Sequence, residues 1–128
     1  MPKTIIHSDK APAAVGPYSQ AISIGGLVFA SGQLPIDPLT GTMPAGSIEE
    51  QAHNCLKNLR SIAEAAGGGL EHAVKTTIFL VDMQDFKAVN AVYASYFNPP
   101  FPARSTVQVA ALPLGADIEI EAVFHIQS

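Results

Sequence analysis

Apolar residues recur along this chain with two different periods, and the switches between them mark out its elements. The stretch Asp117–Phe124 alternates at first, setting Ile118 and Ile120 on one face and Glu119 and Glu121 on the other, the pattern of a half-buried strand. Pro102–Val109 is rich in small and β-branched residues and reads as a strand before it. Ala21–Ile24 and Leu27–Ser31 flank Gly25-Gly26, a two-residue hairpin signal, and Thr4–His7 is a short first strand. The period then changes. Ser47-Ile48-Glu49-Glu50 is a capping box, and Ala52, Cys55, Leu56, Leu59, Ile62, Ala63 and Ala66 form one helical stripe ended by Gly67-Gly68-Gly69. Val74–Val81 is a strand, nearly all apolar after Thr77. A second helix starts at Asp82 or Gln84, carries the stripe Phe86, Val89, Tyr93, Tyr96 and Phe97, and stops at Asn98-Pro99-Pro100. Residues 8–19 and 33–46 hold the remaining Pro and Gly punctuation and read as loops.

The order β-β-β-α-β-α-β-β predicts an α+β or mixed α/β fold in which two helices cover one face of one sheet. Leu27–Ala30 and Ile78–Val81 are apolar at every position, so the second face of the sheet is apolar as well. Sheet-to-sheet packing between subunits fits that pattern. The composition agrees. A chain of 128 residues is expected to be one domain, residues 1–128. Hydrophobic residues make up 48% and charged residues 14%, with a mean hydropathy of +0.24. No apolar run reaches the ~18–20 residues that span a bilayer, so a subunit interface is the natural place for the surplus. The net charge is −4 and the seven Lys and Arg form no basic cluster, which disfavours nucleic acid as a partner. The first residues lack a signal core, and the single cysteine, Cys55, excludes an intrachain disulfide; a reducing cytoplasm is the expected compartment.

The candidate chemistry centres on Arg104. Read as neighbouring strands, the last two segments bring its guanidinium near Glu119 and Glu121, with few other charges around. Two readings stand side by side. In one, the guanidinium fork holds a ligand carboxylate while a half-buried glutamate activates water. In the other, an intramolecular ion pair ties the strands together. The four histidines are dispersed without ligand spacing, so no metal is expected. Cys55 lies on the helical stripe and reads as packing. Gly67-Gly68-Gly69 follows a helix and is a C-cap, not a phosphate cradle. Tyr18 either presents its hydroxyl to a ligand or anchors its loop to the core, and Ser31-Gly32 is a small-residue corner. Asn90, beside the second helical stripe, also reads as an ordinary solvated residue.

Gly16-Pro17-Tyr18-Ser19-Gln20, Ser31-Gly32-Gln33, Ala65-Ala66-Gly67, Val74-Lys75-Thr76-Thr77, Asp85-Phe86, Val89-Asn90 and Pro102-Ala103-Arg104-Ser105 through Ile118-Glu119-Ile120-Glu121-Ala122 together resemble the RidA (YjgF) family of reactive-intermediate deaminases, in order and over nearly the whole chain. The resemblance implies a chorismate-mutase-like fold, a mixed sheet with two helices on one face, assembled as a homotrimer with a ligand cleft between subunits. It implies hydrolysis of 2-aminoacrylate and related 2-imino acids to 2-keto acids and ammonia, with no cofactor. Carried over by position, Arg104 would hold the substrate carboxylate, and Glu119, at the sheet level of Arg104, would orient or activate water. Tyr18, Ser31, Gly32 and Asn90 would line the cleft. Thr106 stands where many members carry cysteine, a departure that argues against thiol chemistry and leaves the substrate range open. Two other functions remain: non-catalytic binding of a 2-keto acid or similar carboxylate, and a ribonuclease or translation-inhibitor role, which the acidic charge disfavours.

Overall fold

A computed structural model describes residues 2–127. Its elements are β1 (Thr4–Ile6), β2 (Ala21–Ile24), β3 (Leu27–Gln33), α1 (Ile48–Ala65), β4 (Ala73–Leu80), α2 (Phe86–Ala94), β5 (Ala103–Gln108) and β6 (Ile118–His125). The strands form one six-stranded sheet in the order β1-β2-β3-β6-β4-β5. Only β4 and β5 are parallel, because α2 carries the chain across between them. The hairpin β2–β3 turns on Gly25 and Gly26, at φ 57° and 83°, the positive values that a two-residue turn of this hand requires.

One sequence expectation fails here. β5 and β6 are not neighbours, since β4 lies between them. Residues adjacent in sequence suggest a hairpin, but β6 pairs antiparallel with both β3 and β4 and so closes the middle of the sheet, leaving β5 at its edge. The level assigned to Glu119 is also corrected: Arg104 stands beside Thr76 and, across it, Ala122, whereas Glu119 stands beside Phe79.

Both helices pack on the same face. Ser47 accepts the Glu50 N–H at 3.1 Å, as the capping box predicts. At the other end Gly67, at φ 95°, lets its own N–H and that of Gly68 reach back to the carbonyls of Glu64 and Ala63. Ala52, Cys55, Leu56, Leu59, Ile62 and Ala63 are wholly buried against Val28, Ile78, Leu80, Ile118, Ile120 and Phe124 of the sheet. Each such Leu or Ile contributes about 1.5–3 kcal/mol by leaving water. The second helix is shorter than its stripe. A 3₁₀ turn at Met83–Asp85 precedes it, and Tyr96 and Phe97 lie past its end, where buried Phe97 still packs 4.5 Å from the Tyr93 ring. Two buried amides hold loops to this core. The Gln20 side chain binds the backbone of Ser8 and Pro12, and Asn58 donates to the carbonyls of Leu34 and Ile36.

Among the described residues no helix covers the other face of the sheet. Phe29 is 45% exposed there, with Ile5 on β1 at 67% and Ile24 on β2 nearby, and Val107 on the opposite edge strand is 41% exposed. These are the apolar positions expected on the second face, which also carries Glu119 and Glu121 of β6. No helix among the described residues is long and apolar enough to cross a membrane.

Candidate functional site

The residues singled out from the sequence fall into two groups. Arg104 lies on the helix-covered side of the edge strand β5. Its Nη1 donates to Oδ1 of Asn90 at 2.7 Å. Its guanidinium carbon sits 4.9 Å from the centre of the Tyr93 ring and 5.4 Å from that of Phe86. Phe86, Asn90 and Tyr93 are spaced i, i+4, i+7, so one face of α2 supplies all three. Tyr93 is itself fixed. Its hydroxyl meets the hydroxyl of buried Thr76 at 2.7 Å, and Thr76 is the β4 neighbour of Arg104. Burial raises the Tyr93 pKa, against the opposing effects of the Thr76 hydrogen bond and the Arg104 charge, so the phenol stays neutral. Thr106 is half-buried, two residues along β5 on the same side as Arg104 and beside Ile78.

Among the described residues no carboxylate pairs with Arg104, and the bond to Asn90 is the one hydrogen bond its guanidinium makes. The ion pair between the last two strands does not form, because strand parity puts Arg104 and Glu119 on opposite faces with β4 between their strands. Asn90 is half-buried and engaged, not a plain solvated residue. In the sequence Phe86 and Tyr93 read as packing and Thr76 as a strand residue, and the resemblance gives none of the three a role. The helical spacing of Phe86 and Tyr93 with Asn90 was the available signal; the Thr76–Tyr93 contact had none.

Glu119, Ser31 and Gly32 form the second group. Pairing of β3 with β6 steps from Ala30↔Ala122 to Gln33↔Ile120, so β3 carries an extra residue and bulges at Ser31-Gly32. Ser31 is tied down by its N–H to the Gln20 carbonyl at 2.8 Å and by its hydroxyl to the Ser19 carbonyl at 2.6 Å. The side chain of Glu119 lies against Gly32. Burial, then the like charge of Glu121 on the same face, raises the Glu119 pKa above the usual carboxylate value. Tyr18, next to Ser19, is 53% exposed. Its hydroxyl accepts the Val15 N–H at 3.3 Å, so it braces its own loop and does not anchor it in the core. Cys55 is buried, and burial pushes its thiol well above the ordinary value, as a packing residue requires.

The structure thus assembles an oriented guanidinium on one face and a half-buried carboxylate on the other. The family model described as Endoribonuclease L-PSP matches residues 8–126. The RutC family protein y4sK of Sinorhizobium fredii is 54% identical over 121 residues, 94% of this chain and 96% of its own. The 2-iminobutanoate/2-iminopropanoate deaminase of Mus musculus is 47% identical over 121 residues, 94% of this chain and 90% of its own. The crystal structure of E. coli TdcF with bound serine matches the fold with a TM-score of 0.90 at 40% identity, covering 98% of this chain and 99% of that one. Matched in sequence and in fold along almost its entire length, the chain belongs to the RidA (YjgF) family, the imine deaminase family of these relatives.

Proposed function

We propose that this protein hydrolyses 2-imino acids and their enamine tautomers, 2-aminoacrylate among them, to 2-keto acids and ammonia, in a cleft formed where two copies meet. The observation that carries the reading is the Arg104 guanidinium, held by Asn90 on one nitrogen, backed by an aromatic ring and unpaired with any carboxylate among the described residues. Such a fork is preorganised for a substrate carboxylate. The reaction then needs one acid–base group. Water adds to C2 of the imine, and Glu119 carries one of its protons to the nitrogen to give a carbinolamine; Glu119 then carries the hydroxyl proton to the nitrogen, and the C2–N bond breaks with release of ammonia as the C2–O double bond forms. A carboxylate with a raised pKa suits both steps. A 2-imino acid is already reactive in water, so orientation plus general acid–base help of about 10²–10⁴-fold is enough.

The two groups stand on opposite faces, with their strands about 10 Å apart at two strand spacings. One small ligand cannot touch both in a single copy. A cleft built from two copies removes the difficulty: Arg104, Asn90 and Thr106 come from one, and Glu119, Ser31, Gly32 and Tyr18 from the next. The apolar open face, with Ile5, Ile24, Phe29 and Val107, supports a homotrimer in which such faces are covered. The test couples a dehydratase that releases 2-aminoacrylate to 2-keto acid detection. Added protein accelerates keto-acid formation; a rate equal to that of the dehydratase alone overturns the proposal.

The serine held by E. coli TdcF favours a second reading, a binding protein for small carboxylates that has no turnover. Calorimetry showing 2-keto acid binding abolished by Arg104→Ala, with no imine turnover in wild type, would establish it. The endoribonuclease description of the family raises a third reading, against which the net charge of −4 weighs.

A further inference from the structure

Gly32 is a glycine for a reason other than backbone freedom. It is not among the glycines with positive φ, so its backbone conformation is open to any residue. What its position forbids is a side chain. A Cβ on Gly32 would stand 2.8 Å from Cδ of Glu119 and 2.9 Å from Oε2, closer than real Cβ atoms come, and 3.0 Å from Cγ. We infer that Gly32 is a positioning residue for Glu119: the absent side chain is the space in which the carboxylate lies, and the bulge fixes that space in the sheet. The inference rests on the reading of Glu119 as the acid–base group.

Two features fix which partner must yield. The Gly32 backbone cannot retreat, since Ser31 is bonded through both N–H and hydroxyl to Gln20 and Ser19, and Gln20 is buried and bonded in turn to Ser8 and Pro12. The backbone of Glu119 cannot retreat either, since β6 pairs on both sides, with β3 and β4. Only the Glu119 side chain can turn aside. Two other glycines, Gly46 and Gly69, also leave room for a glutamate, but those glutamates, Glu50 and Glu71, are exposed near helix ends. Glu119 is the half-buried one. An alanine at position 32 therefore displaces a carboxylate at little cost to the fold, and a displacement on the order of 1 Å at a catalytic group can lower a rate by about 10²-fold.

The test compares wild type, Gly32→Ala, Glu119→Gln and the double variant in the dehydratase-coupled assay, with 2-oxobutanoate binding by calorimetry. Gly32→Ala is expected to lower kcat by about 10–100-fold while KM and 2-oxobutanoate affinity stay within about threefold. In the Glu119→Gln background the same change should cost less than about threefold, because the group it displaces no longer acts. Equal losses in both backgrounds would overturn the inference, as would lost 2-oxobutanoate binding in Gly32→Ala. So would full activity of Gly32→Ala beside an inactive Glu119→Gln, a result that leaves the proposed function standing. Wild-type turnover by Glu119→Gln would instead fail the reading beneath it. Should Gly32→Ala lower the melting temperature, the loss should vanish in a Glu119→Ala background, where Cγ and the carboxylate are gone; a loss of the same size there overturns the inference.

Discussion

Arg104 keeps its fork available because of what surrounds it. Asn90 takes one N–H, the Tyr93 ring supports the plane, and Glu119 and Glu121 lie on the far side of the sheet. Lysine at this position would keep the charge and lose the planar two-pronged grip. Arg104→Lys is therefore expected to lower kcat/KM for the imine by about 10²-fold or more, and steady-state kinetics near wild type would show that the fork is not used. Thr106 is half-buried beside Ile78. Thr106→Cys and Thr106→Val should each retain activity within about tenfold, with water as nucleophile; a complete loss in Thr106→Val would place the hydroxyl in the chemistry. In the proposed mechanism Glu119 sets the pH dependence. Burial and then the charge of Glu121 raise its pKa, and a base works only when ionised, so the acid limb of kcat should lie above the usual carboxylate range. Glu121→Gln removes a like charge, lowers the Glu119 pKa and moves that limb to lower pH with little loss of maximal rate. A limb that stays in place in the pH–rate profile would mean the two carboxylates do not interact in the working enzyme.

Among the elements, α2 supplies most of what surrounds Arg104. Val89, Val92 and Tyr93 fasten it to the core, while Phe86, Asn90 and Tyr93 turn toward Arg104. Tyr93 serves both purposes, its ring under the guanidinium and its hydroxyl on Thr76. Tyr93→Phe keeps the ring and leaves the buried Thr76 hydroxyl without its partner, which should cost about 1–3 kcal/mol in denaturant unfolding while kcat changes little. Unfolding at the wild-type midpoint would show the hydroxyl pair to be dispensable. This double use was hidden in the sequence, where Tyr93 and Phe86 looked like any apolar stripe. The helix α1 was far more legible. Its cap, stripe and glycine stop are all local signals, and each appears where the pattern put it. The extent of α2 was less so, because Tyr96 and Phe97 pack on the core without being helical, and burial alone continues the stripe.

For the whole molecule, the arrangement of two half-sites on opposite faces makes assembly a condition of activity in the proposed function. Light scattering is expected to give a trimer at micromolar concentration, and a stable monomer would remove the cleft. Phe29→Glu on the open face should disrupt the assembly and abolish turnover together. A sharper experiment mixes two inactive proteins. Arg104→Ala lacks one half-site and Glu119→Gln the other, so refolding them together should regenerate about one intact cleft in four if each cleft draws on two copies. No recovery from the mixture would assign both residues to the same copy.

The sequence alone determined what local physics governs. Period 2 or 3.6 separates strands from helices, Gly25-Gly26 and Gly67 mark turns, and the all-apolar runs at Leu27–Ala30 and Ile78–Val81 announce a sheet apolar on both faces. The resemblance along nearly the whole chain then picked out Arg104, Asn90, Gly32 and Glu119. Only the tertiary structure decided that β4 separates β5 from β6, that Arg104 and Glu119 face opposite ways, and that Gly32 is the space beside a carboxylate. The reason is range. Alternation and capping depend on residues a few positions apart, which the sequence displays directly. Strand order, the face a side chain shares with a distant strand, and the room left for it depend on pairings such as Gln33 with Ile120, which no local pattern encodes.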